Sequence, residues 1–117
     1  MDTYTRSRFI HAIDKFNNKN FFECHEILED IWFDVRDDSR DFYQGLLHIA
    51  VGLYHLTKKR NTKGTILQFD KAVSKLASYK NSYNGVDLEK LLKQIKSITR
   101  KLIKHELPKQ LPKITLN

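Results

Sequence analysis

Apolar residues recur along this chain at steps of three and four, the spacing that keeps them on one face of an α-helix. Phe9, Ile10, Ile13 and Phe16 carry the rhythm from Thr5 to about Asn17, with Thr3 or Thr5 as the expected cap. The run Asn17-Asn18-Lys19-Asn20 breaks it, because asparagine side chains compete for backbone hydrogen bonds. A second helix then opens on Asn20, with Glu23 three residues on in the spacing of a capping box. Its core stripe is Phe21, Cys24, Leu28, Ile31 and Val35, widened by Trp32. Asp37-Asp38-Ser39 ends this helix and offers caps to the next.

The third helix, from Ser39 to about Lys59, is apolar nearly all round. Phe42, Leu46, Ile49, Leu53 and Leu56 form one side, and Leu47, Val51 and Tyr54 lie on another. Two apolar faces place a helix at the centre of its fold, covered on both sides. Gly45 and Gly52 in its interior each cost about 1 kcal/mol relative to alanine, which suggests that another helix comes close there. After Asn61-Thr62-Lys63-Gly64 a fourth helix carries Ile66, Phe69, Val73, Leu76 and Ala77. Asn81 to Gly85 reads as a turn, and Asp87 as the cap of a fifth helix. There Leu88, Leu91, Leu92, Ile95, Ile98, Leu102 and Ile103 alternate with lysine and arginine until Pro108. No strand alternation of any length is visible. The pattern predicts an all-α chain of about five helices, helix three central, as one domain over residues 1–107. Residues 108–117 read as a Pro-containing tail.

Composition supports a folded cytoplasmic domain. The chain has 117 residues, 40% of them hydrophobic and 11% aromatic, too apolar for disorder. Cys24 stands alone, so no intrachain disulfide exists, which fits a reducing compartment. The most apolar stretch, Leu46 to Leu56, falls well short of the roughly 20 residues a membrane helix needs. Met1 to Arg6 lacks the apolar segment of a signal peptide, so no membrane partner is expected.

Charge divides the molecule. The net +7 is the remainder of −4 over residues 1–57 and +11 over residues 58–117. The basic excess is a solvated lysine surface or a face for an anionic partner, with Lys93, Lys96, Arg100, Lys101 and Lys104 as its residues.

Polar residues inside the apolar pattern point to a different place. At about 100° per residue, Gln44, His48 and His55 share one side of helix three. On helix two, His25 and Glu29 lie at the edge of the core stripe beside Trp32, with Glu23, Glu26 and Asp30 further toward solvent. The short connection between these helices predicts that they run antiparallel and that the two polar sets meet. Three chemistries fit. His25, Glu29, His48 and His55 suit a divalent zinc, manganese or iron ion. A His–Glu pair in a cleft suits acid–base work. Alternatively, the groups hydrogen-bond one another and simply lock two helices together. No nucleophile elbow or phosphate-binding glycine loop is present, and Cys24 on the core stripe reads as an inert thiol.

The segment from Phe16-Asn17 through Phe21-Phe22-Glu23-Cys24-His25-Glu26-Ile27-Leu28-Glu29-Asp30-Ile31-Trp32 resembles the signature of a family of small prokaryotic helical proteins, Domain of Unknown Function 309. Arg40 to Ala50 agrees with it, followed by His55, Asn61 and Gly64, and Gly85-Val86-Asp87-Leu88 resembles a third element. The resemblance spans about residues 9–92 and implies a compact antiparallel bundle. It shares Glu23, His25, Glu26, Glu29, Gln44 and His55, but has alanine more often than Cys24 and often glutamine in place of His48. The family brings no established activity. The expectation is a small ligand-binding protein or unassigned enzyme with its site between helices two and three. The alternatives are an interaction module that uses helix five on an acidic protein or nucleic acid, and self-association through that helix.

Overall fold

The computed structural model describes all 117 residues. Five α-helices follow one another: α1 (Thr3–Asn17), α2 (Phe21–Asp34), α3 (Arg40–Tyr54), α4 (Thr62–Leu76) and α5 (Leu88–Ile103). A π-helical turn, His55–Lys59, extends α3. Two two-residue strands, β1 (Ser82–Tyr83) and β2 (Val86–Asp87), form an antiparallel hairpin between α4 and α5. That hairpin corrects the reading of residues 81–85 as a plain turn without strands. Two residues per strand are too few for a hydrophobic alternation to register in sequence.

Side-chain pairs fix the helix directions. Lys15 meets Glu23 at 2.9 Å and Arg8 meets Asp34 at 3.0 Å, so α1 and α2 are antiparallel. The Phe22 ring lies 5.4 Å from that of Tyr54, and Arg40 sits 4.3 Å over Trp32, so α2 and α3 are antiparallel too. A Cβ at Gly45 would fall 2.5 Å from Leu76, and one at Gly52 would fall 2.7 Å from Phe69. The glycines are therefore where α4 closes against α3 in the opposite sense. α3 is central as expected. Phe42, Leu46, Ile49, Ala50 and Leu53 are all buried within a core that all five helices share.

The termini of the helices follow local chemistry. Asp2, not Thr3 or Thr5, caps α1: its carboxylate accepts from the Thr5 N–H at 2.7 Å, and that bond holds the Asp2 carboxyl below its usual range. The capping box expected at Asn20 does not close. Its side chain makes no cap bond, and Glu23 pairs with Lys15 instead. Asp87 does cap α5, accepting from the Lys90 N–H at 3.0 Å. The Tyr79 hydroxyl accepts from the Phe42 N–H at 3.0 Å in the first turn of α3, where backbone donors lack helical partners.

Residues 108–117 return along the bundle. Ile114 is buried, Leu116 bridges to Val86, and the Asn17 amide holds the Ile114 backbone by two bonds of 3.0 and 2.8 Å.

Candidate functional site

One side of α3 is less completely covered than the other. Gln44, Leu47, His48, Val51, Tyr54 and His55 are all only half-buried, whereas the opposite side of the same helix is closed. This strip runs between α2 and α4, and every polar residue singled out on α3 lies on it.

At the α2 border, His25 is half-buried. One ring nitrogen, Nδ1, lies 3.0 Å from the Phe22 carbonyl oxygen, and Nε2 lies 3.7 Å from the Glu29 carboxylate one turn on. The imidazole also stacks at 5.3 Å on Phe22, whose ring in turn meets Tyr54. Trp32 closes the far end. The Arg40 guanidinium covers its ring and donates to its carbonyl oxygen at 3.4 Å, while the indole N–H is buried without a partner. Glu23 and Glu26 are exposed, as their helical positions require.

At the α4 border the arrangement differs from expectation. His48 Nδ1 lies 2.7 Å from the side-chain oxygen of Gln68, so His48 joins α4 and not α2. With Gln44 it lines a shallow cleft completed by Asp70, Lys71, Ser74 and Lys75. Burial lowers the His48 pKa; the Gln68 bond opposes this and the Lys71 and Lys75 charges add to it. His55 sits in the π-helical turn with Nδ1 buried and unpartnered. The polar row on α3 thus borders α4, because Gly45 and Gly52, the points of contact with α4, stand within about 100° of it on the helix. The amphipathic pattern showed that this row was special but not which neighbour it would face.

His25 and Glu29 therefore come together, Gln44 and His48 come together, and the two pairs stay on opposite borders of the strip. No group of three His, Cys, Asp or Glu side chains in the chain is placed to hold a metal ion, so His25, Glu29, His48 and His55 do not form the four-ligand set that their spacing suggested. Cys24 is buried, and burial pushes its thiol up to about 12, which leaves no thiolate for nucleophilic work. Sequence reasoning passed over Phe22, Arg40 and Gln68. Arg40 eight residues after Trp32 was a usable signal once α2 and α3 were read as antiparallel. Nothing in the pattern distinguished Gln68 from other polar residues of α4.

Residues 9–67 match the family model described as a domain of unknown function (DUF309). The chain belongs to this family. The matched residues contain α1 from Phe9 onward, all of α2 and α3 and the start of α4, and so most of the strip; they stop before Gly85-Val86-Asp87-Leu88 and before α5. A curated relative, the uncharacterized protein YpuF of Bacillus subtilis (strain 168), is 32% identical over 62 residues, 52% of this chain. The match spans about a third (35%) of that relative's length. No helix of this family member is long and apolar enough to cross a membrane.

Proposed function

We propose that this protein is a small cytoplasmic binding protein whose recognition surface is the open strip of α3, edged by His25, Glu29 and Trp32 on α2. The observation that carries the reading is the half-buried flank on an otherwise enclosed central helix. A helix apolar nearly all round normally has neighbours all round, and here one side is left to Leu47, Val51 and Tyr54 among Gln44, His48 and His55. Family membership supports it, since the matched residues 9–67 carry α3 whole with its α2 border. A lone thiol and no disulfide support the compartment. Binding is favoured over catalysis because no nucleophile stands beside a base and the two histidines belong to separate pairs.

A fragment library screened by protein-observed NMR tests the proposal. Hits are expected to shift the Trp32 indole, His25, His48 and Tyr54 signals together. Replacing His25 and Glu29 with alanine weakens those hits while the circular dichroism spectrum stays the same. Hits that leave these signals still, or that survive the double substitution, overturn the reading. A double variant that unfolds identifies the pair as a structural lock.

A further inference from the structure

The basic half of the chain builds a cleft that the family match does not reach. Lys93, Ser97 and Lys101 stand one turn apart along one side of α5, at i, i+4 and i+8, so their side chains line up. Ile98 and Gln94 form the floor beneath them, and the returning segment Pro108 to Pro112 makes the opposite wall, carrying Lys109 and Gln110. The space between holds about 480 Å³, within the size of ordinary small-molecule sites.

Three features give this cleft a chemistry. No carboxylate lines it; the nearest acidic partner is Glu89, which pairs with Lys93 at 3.2 Å from outside. Lys101 and Lys109 have no ion-pair partner at all, and only Lys75–Asp41 joins the basic half of the chain to the acidic one. Beneath them the Gln94 side-chain oxygen is buried without a hydrogen bond, so nothing holds that amide in place. The chain is anchored just beyond the far wall, where Pro112 and Ile114 are buried. The Asp87 N–H donates to Thr115 at 3.0 Å, the Asn117 N–H to Gly85 at 2.7 Å, and Lys90 Nζ to the Thr115 hydroxyl at 3.2 Å. Three cations around a hydroxyl donor suit a phosphate, and the Gln94 side-chain amide, which lines the cleft and makes no hydrogen bond there, suits a ligand hydroxyl beside it.

We propose that the cleft between α5 and residues 108–112 binds a phosphorylated sugar or polyol, its phosphate on Lys93, Lys101, Lys109 and the Ser97 hydroxyl and a ligand hydroxyl on Gln94. Titration calorimetry with ribose 5-phosphate, inorganic phosphate, ribose and a 20-nucleotide single-stranded DNA tests it on the full chain. Ribose 5-phosphate binds saturably and more tightly than phosphate, and ribose alone does not bind. Lys101→Glu weakens it by about tenfold or more, equivalent to one decade of Kd. Lys96→Glu, which makes the same charge change on an exposed lysine outside the cleft, alters it by less than twofold. Gln94→Leu brings ribose 5-phosphate down to the affinity of phosphate. Equal losses in Lys96→Glu and Lys101→Glu overturn the proposal in favour of diffuse surface attraction. Saturable binding of the DNA alone overturns it in favour of a nucleic-acid face, and phosphate binding as tightly as ribose 5-phosphate removes the sugar. Circular dichroism of each variant confirms the fold, and Lys109→Glu repeats the test from the opposite wall.

Discussion

Gly52 stands at one of the two points where α3 closes against α4, beside the ring of Phe69. Alanine there gains about 1 kcal/mol of helix propensity, but its Cβ falls 2.7 and 2.8 Å from two ring atoms of a fully buried phenylalanine. Packing around that ring leaves it nowhere to go, and overfilling a core costs about 1–3 kcal/mol. The loss exceeds the gain. Gly52→Ala is expected to lower stability by up to about 2 kcal/mol, read as a lower urea midpoint with an unchanged slope in urea. His48 supplies a pH dependence of definite sign. Burial lowers its pKa from the ordinary 6.5, so the unfolded chain binds the proton more readily than the folded one. Its contribution to stability is complete above 6.5 and falls as the pH drops through that value toward the folded pKa. Chemical denaturation between pH 5 and pH 8 should show wild type losing stability faster on acidification than His48→Gln. Curves of equal slope would show that His48 does not titrate differently on folding.

At the scale of elements, capping chemistry separates what could be read from what could not. Asp87 was legible because aspartate before an apolar run has one strong local use, and its carboxylate meets the Lys90 N–H at 3.0 Å. Replacing it with alanine is expected to cost about 1 kcal/mol, visible in thermal unfolding, while asparagine retains most of the stability. Asn20 looked equally good and fails, because Lys15 on the neighbouring helix takes Glu23, a tertiary contact no local spacing announces. The π-helical turn was likewise hidden. Thr57 bonds back to the Leu53 carbonyl oxygen at 2.8 Å, and Arg60 closes the turn in the left-handed region at φ 50°. Both follow from how the chain must turn into α4. The helical periods of α1 to α5 were legible throughout, since each needs only its own apolar face. The partner of the α3 polar row was not, since Gln44 and His48 sit on a helix with apolar residues on every side.

Across the whole molecule, the two halves of the charge stay apart because the ion pairs mostly form within each half. Arg8–Asp34 and Lys15–Glu23 bind the acidic half to itself, and Lys93–Glu89 lies within the basic half. The proposed recognition strip and the proposed phosphate cleft therefore occupy surfaces of different character, one in the family-matched residues and one beyond them. What ties the second surface to the first is Asn17. Its side chain leaves the end of α1 to donate to the Ile114 carbonyl oxygen and accept from the Ile114 N–H, so one amide satisfies both polar groups of a residue whose side chain is buried in the core. Asn17→Ala leaves those two backbone groups to water or to nothing. A loss of about 1–3 kcal/mol is expected, concentrated in residues 111–117. Hydrogen exchange distinguishes the outcomes. The amides of 114–117 should exchange much faster in the variant while α1 to α4 keep their protection, and the affinity for ribose 5-phosphate should fall with them, because the wall that carries Lys109 is no longer held. A uniform rise in exchange over the whole chain would instead make residues 108–117 an inseparable part of the cooperative core. In that case the cleft opens only when the bundle itself unfolds.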